Sequence, residues 1–175
     1  ERKSIRFLKE NGITDNIDVF VNDESQKKLY SHIKGIKLII VGKKGIMNAR
    51  NFMSSYYPKG KKIVYLDDDI TAIYKGNKIK TEMKKVYNLK ELITKGFALC
   101  DKHKFFKWGL NPSQNRRSLY DTITTDLRYI GFLTGEINQP SIRATVDYSE
   151  DFERTILYYK KGGGVIRFNH YVAKS

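Results

Sequence analysis

Apolar residues fall along this chain in short runs separated by amphipathic stretches, and the alternation of the two predicts most of the architecture. Glu1 to Glu10 places Ile5, Phe7 and Leu8 on one face and predicts a helix that stops at Asn11-Gly12. Ile17 to Val21 reads as a strand, Asp23 to His32 as a short helix opened by acids, and Ile36 to Val41 as a nearly continuous apolar strand. Gly42 and Gly45 lead into a helix from Ile46 to Tyr57, closed by Pro58 and Gly60. Lys62-Ile63-Val64-Tyr65-Leu66 then runs straight into Asp67-Asp68-Asp69-Ile70, the pattern of a buried parallel strand ending at a charged rim.

Beyond the acids the pattern loosens. Thr71 to Tyr74 and Lys78 to Thr81 flank Gly76-Asn77 and predict a hairpin. Asn88 caps a helix from Leu89 to about Lys104 with Leu92, Ile93, Phe97 and Leu99 for its buried face. Phe105 to Leu110 and Leu127 to Ile137 read as strands around the loop from Asn111 to Arg117. Asp147 to Lys161 reads as a helix ended by Gly162-Gly163-Gly164, and Val165 to Phe168 as a last strand leading to His170. Strands alternating with helices in the first half imply βαβ units and an α/β fold: a mostly parallel central sheet flanked by helices, with a small antiparallel part in the second half. One domain over residues 1–175 is expected. A sheet of this class opens on a strand and this chain opens on a helix, so a preceding strand is expected upstream of Glu1.

Composition narrows the function. With 40% hydrophobic and 13% aromatic residues the chain is globular, and its length can bury a proper core. The single cysteine, Cys100, cannot form an internal disulfide, which suggests a reducing, intracellular setting and a buried thiol. No apolar run is long enough to span a bilayer, so no membrane partner is expected. The net charge of +14 implies attraction to a polyanion such as nucleic acid or a phosphate-rich ligand, although much of the lysine can serve solubility.

The candidate chemistry gathers at the acid triplet. Three adjacent anions repel one another, which is poor for stability and suited to a hard divalent cation with oxygen ligands. A solvated turn is the plain alternative. The run Asp67-Asp68-Asp69-Ile70-Thr71 also fits the Asp-x-Asp-x-Thr pattern of haloacid-dehalogenase-type phosphatases, with Asp67 as nucleophile. Those enzymes, however, place that strand first and carry a later Asp pair that is missing here.

A second resemblance covers more of the chain. Gly45-Ile-Met-Asn-Ala49-Arg50-Asn51, the strand into Asp67-Asp68-Asp69, Gly135, Glu150-Asp151 and His170 stand in the order of a GT-A-type glycosyltransferase. Within that superfamily, Ala-Arg-Asn, Tyr-Leu-Asp-Asp-Asp-Ile, Lys107-Trp108-Gly109 and Glu150-Asp151-Phe152-Glu153-Arg154 resemble the TET-associated glycosyltransferases. Those enzymes are linked to glucosylation of hydroxymethylated pyrimidines in DNA, including base J synthesis and phage and large-virus homologues. The resemblance implies a UDP-sugar donor, in particular UDP-glucose, and Mn²⁺ or Mg²⁺ held by Asp69 with Asp67 and His170. It implies donor contacts from Arg50, Asn51, Asp67, Asp68 and Gly135, and a catalytic base at Asp151 with Glu150 as the alternative.

Each of these positions also has a plainer reading. Arg50 suits an ion pair that steadies the acids, and Asp147-x-x-Glu150 suits a helix capping box. His170 suits a partly buried histidine, and Trp108 suits the core. His32 and His103 read as surface residues. Lys102, Lys104, Arg116 and Arg117 are candidates for the phosphates of a DNA acceptor, with a solvated surface as the alternative. The rival functions are the same fold acting on protein or glycan acceptors, the phosphatase, and a noncatalytic basic nucleic-acid module. Oligomeric state is not legible.

Overall fold

The computed structural model describes residues 2–76, 83–113 and 115–175. The first half follows the expected alternation: α1 (Lys3–Glu10), β1 (Ile17–Val21), α2 (Glu24–Tyr30), β2 (Ile36–Ile40), α3 (Ile46–Tyr56) and β3 (Lys62–Leu66). Then come β4 (Ala72–Lys75), β5 (Lys84–Lys85), α4 (Leu89–His103), β6 (Lys107–Leu110), β7 (Ile123–Thr124), β8 (Gly131–Ile137), α5 (Glu150–Gly162), β9 (Ile166–Phe168) and β10 (Tyr171–Lys174). Local chemistry sets several boundaries. The Asp23 carboxylate accepts from the Gln26 amide at 3.0 Å to start α2, and the Asn88 side chain accepts from the Glu91 amide at 3.1 Å to start α4.

The main sheet has the order β3-β8-β6-β9-β7. β3, β6 and β9 point the same way, because β8 pairs antiparallel with both β3 and β6 while β6 and β9 pair in parallel. The α/β class with flanking helices is as expected. Antiparallel pairing is nevertheless wider than expected, since β3 has β8 rather than a parallel strand as its hydrogen-bonded neighbour. β8 is reached from β6 through loops, a short 3-10 turn at Arg116–Ser118 and β7, with no helical crossover among the described residues to impose a parallel return. β1 and β2 form a separate parallel pair, and Phe20 of β1 packs edge-on against Phe52, Tyr56 and Tyr57 beside α3. The expected hairpin arm Lys78 to Thr81 lies outside the described residues; the described partners of β4 are β5 and β10.

Trp108 organises the core. Its ring is fully buried, edge-on to Phe97 and Phe168. A Cβ at Gly96 of α4 would stand 2.4 Å from the indole, and one at Gly135 of β8 would stand 2.0 Å from it. These glycines therefore exist to admit the ring, and the core reading of Trp108 is the one observed. Cys100 is buried in the same cluster, and burial pushes its thiol up to about 12. No helix among the described residues is long and apolar enough to cross a membrane.

The shared direction of β3, β6 and β9 has a geometric consequence for the site. Their C-terminal ends lie along one edge of the sheet, so Asp67, Asn111 and the pair Asn169-His170 all emerge on one rim. β8 enters from that rim, which places Tyr129 there too. Ligands of open α/β sheets bind outside this edge. A bulge marks it: Gly109 faces Thr134 but Leu110 faces Gly131, leaving Phe132 with φ +61°. The Phe132 carbonyl accepts from the Asp67 amide, fixing where the acid triplet begins.

Candidate active site

At the rim the acid triplet is held from below and from behind. Ile70 is fully buried, Asp68 and Asp69 occupy an exposed turn, and the Ser4 hydroxyl of α1 can donate to the Asp67 carbonyl or, at 3.3 Å, to that of Ile70. Arg50 projects from α3 into the space behind. Its Nη2 donates to Asp67 Oδ1 at 2.8 Å, its Nε stands 3.6 Å from Glu150 Oε1, and its guanidinium lies over the Tyr65 ring. One cation thus ties the end of β3 to the start of α5. Burial pushes the Asp67 carboxyl above its ordinary pKa, with Asp69 and Asp151 adding to the rise against the pull of Arg50. Burial raises Glu150 in the same way, again against Arg50 and with help from Asp151.

Asp151 completes the group. Its Oδ1 accepts from the Phe152 amide at 2.9 Å, and its Oδ2 accepts from the Tyr129 hydroxyl. Burial and the Asp151 carboxylate both hold the Tyr129 phenol well above its usual range, so it stays a donor. Tyr129 was hidden from the sequence, where it sits inside the segment read as a strand; nothing local to it announces a bond to a side chain on α5.

The turn before α5 departs from the capping-box expectation. Ser149 makes no capping bond and adopts φ +71°, a left-handed conformation that costs energy for a residue with a side chain. Asp147 instead serves α3, its Oδ1 accepting from the Met47 amide at 3.2 Å beside Gly45. Glu153 reaches back to the Thr145 and Val146 amides at 2.6 and 3.0 Å.

Three expected site residues have other work. Asn51 is buried, and its side chain exchanges two 2.8 Å bonds with the backbone of Ala144, so it clamps the strap before α5 onto α3. Replacing it with Ala strips partners from two buried backbone groups. A loss of about 2–4 kcal/mol is expected, read as a lower denaturation midpoint with an unchanged slope. Gly135 faces the indole of Trp108.

His170 is separated from the triplet across the sheet. Between the ends of β3 and β9 lie three strand spacings, about 14 Å, and His170 packs on Phe168 and Tyr171 with Nδ1 3.2 Å from the Thr122 carbonyl. Burial lowers its pKa. Among the described residues no three His, Cys, Asp or Glu side chains converge to hold a metal ion. The structure thus places Asp67 and Asp69 at the end of β3 and His170 beyond the end of β9, and does not bring the three together. What fits a hard cation is the exposed oxygen edge of Asp69 beside Asp67, which can supply one or two ligands to an ion otherwise coordinated by a diphosphate and water.

The basic candidates divide between two edges. Lys102 and Lys104 end α4 just before β6 begins, at the sheet edge opposite the acids, while Arg117 follows the C-terminal end of β6 on the rim side. The backbone of Arg116 begins the 3-10 turn there.

A buried charge network supports the site. Glu136 of β8 takes Lys107 Nζ on one oxygen and Arg154 Nη2 on the other, each at 2.5 Å, and Arg154 also donates to the Ser54 hydroxyl of α3 at 3.0 Å. The sequence carried a signal for it, because a carboxylate inside the apolar run Gly131–Ile137 needs a buried partner.

No protein-family model matches the chain, and no curated protein matches it. Among solved structures it is similar to S. aureus TarS, residues 1–349, a glycosyltransferase, with 12% sequence identity and a TM-score of 0.51. The likeness covers 99% of this chain and 57% of that one. It shows a shared fold.

Proposed function

We propose that the chain is the donor-binding and catalytic core of a metal-dependent, inverting glycosyltransferase. The observation that carries this reading is the convergence of Arg50, Asp67, Glu150 and Asp151, drawn from α3, β3 and α5, at the strand-end rim of a fold shared with a glycosyltransferase. The proposed donor is a UDP-sugar, UDP-glucose in particular. The proposed acceptor is the hydroxyl of a hydroxymethylated pyrimidine in DNA, in keeping with the charge of +14 and with the sequence resemblance.

In this reading Asp69, with Asp67 beside it, holds Mn²⁺ or Mg²⁺, which when bound neutralises charge building on the departing diphosphate. Arg50 orients Asp67 and adds positive charge behind the phosphates. Asp151 takes the proton of the acceptor hydroxyl as that oxygen bonds to the anomeric carbon. The bond from that carbon to the phosphate oxygen breaks, and UDP leaves with the electron pair. Tyr129 donates to one oxygen of Asp151 and so aims the other.

The test is UDP release from UDP-glucose with Mn²⁺ and a hydroxymethylated oligonucleotide. Turnover is expected in the wild-type chain, and Asp69→Ala is expected to weaken metal-dependent UDP binding at least tenfold. Oligonucleotide binding without donor binding or UDP release would favour the noncatalytic module instead.

A further inference from the structure

We propose that the exposed face of Phe152, backed by Tyr129, is the acceptor subsite, taking an unpaired nucleobase stacked on the ring; this rests on the transferase reading above. Tyr129 and Phe152 lie parallel, with centroids 3.6 Å apart and planes at 6°. The bond from the Tyr129 hydroxyl to Asp151 and the helical anchoring of Phe152 hold the two rings in that pose. Phe152 remains 47% exposed although Tyr129 covers one face, so its other side is open to solvent. Large apolar rings at such a position stand ready to cover a flat partner.

The chemistry around the stack identifies the partner. The Tyr129 ring that backs Phe152 also bonds the Asp151 carboxylate through its hydroxyl, so the ring pair and the group proposed to accept the hydroxyl proton share one anchor. Arg167 Nη1 stands 3.3 Å from the Tyr129 carbonyl, and the neighbouring Arg128 is close enough to depress the Arg167 pKa, to which burial contributes most. Arg128 is half exposed, paired only loosely with an equally exposed Asp126 at 3.4 Å. Arg167 is tied to Asn169 Oδ1 at 2.6 Å as well as to the Tyr129 carbonyl, so the half-exposed Arg128, next to Tyr129 in the chain, is the cation that suits a phosphodiester flanking a base on the ring pair. A neutral glycan would use the ring and offer Arg128 no anionic group. Since the base must leave its own stack to reach Phe152, single-stranded or extruded substrate is implied.

A single-stranded oligonucleotide carrying 2-aminopurine at its centre reports stacking directly, by fluorescence quenching, without any need for turnover. The wild-type chain is expected to quench it. Phe152→Ala should lose the quench and bind about tenfold more weakly, while Phe152→Trp retains both. Because the ring is half exposed, unchanged thermal melting of Phe152→Ala is expected, and UDP-glucose affinity should match wild type. Equal quenching and affinity in Phe152→Ala and wild type would overturn the proposal, as would Phe152-dependent binding of maltotriose with none of the oligonucleotide. Failure of the wild-type chain to bind UDP-glucose would instead count against the transferase reading, with the stacking result standing on its own.

Discussion

Asp151→Asn is expected to reduce sugar transfer by about 10²–10⁴-fold, the usual contribution of a positioned general base, while UDP-glucose affinity stays within about twofold. Asparagine keeps the shape of the side chain: its single oxygen can accept from the Phe152 amide while its NH2 donates to the Tyr129 hydroxyl oxygen, which turns from donor to acceptor, so the start of α5 should hold its conformation. What it loses is the ability to take a proton. Glu150→Gln has a different signature. Glu150 is buried and faces Arg50, so its loss should weaken donor binding through Arg50 and Asp67 more than it slows the chemical step. Initial-rate kinetics with saturating and limiting donor separate the two. Transfer by Asp151→Asn within tenfold of wild type would move the base elsewhere.

The largest effect on stability is expected from Glu136→Gln. Glu136 satisfies two buried cations at once, and removing its charge leaves Lys107 and Arg154 facing each other without compensation. Breaking a buried pair typically costs about 3–5 kcal/mol, a large share of the roughly 5–15 kcal/mol by which domains are stable. Urea unfolding of the variant should show a markedly lower midpoint. The wild-type pH dependence carries the same information. Lys107 and Arg154 overcome the burial penalty and pull the Glu136 carboxyl from 4.5 down to about 2. A depressed carboxylate contributes stability that is complete above pH 4.5 and is lost as the pH falls toward 2. Asp67 and Glu150 act with the opposite sign, since their raised pKa values mean that folding disfavours their ionised forms and that acid relieves the strain. An acid titration should therefore lose its main stabilising contribution between about pH 4.5 and 2.

The parts of this molecule that were legible in its sequence are those set by local pattern. The run Lys62–Leu66 breaking into three acids reads as a strand reaching a rim, and Gly45 with φ +103° opens α3 where glycine was expected to do so. What escaped depends on lateral order within the sheet. Nothing along the chain says that β8 inserts between β3 and β6, and that insertion carries His170 away from the triplet. Gly135 and Asn51 entered as donor contacts through the family resemblance, and the packing they take part in has no local signal: the group that approaches Gly135 is an indole from β6, and the Asn51 amide is spent on the Ala144 backbone. Asp147 matched a capping box by spacing and instead caps a helix a hundred residues earlier in the chain.

The central claim is that the oxygen edge left by Asp67 and Asp69, steadied by Arg50, receives the metal and diphosphate of a sugar nucleotide. A crystal grown with UDP and Mn²⁺, with anomalous diffraction recorded at the manganese edge, addresses it directly. One anomalous peak is expected within about 2.0–2.3 Å of an Asp69 carboxylate oxygen, with the diphosphate between it and α3. A manganese peak and nucleotide on any other surface, or no nucleotide at millimolar UDP, would contradict it.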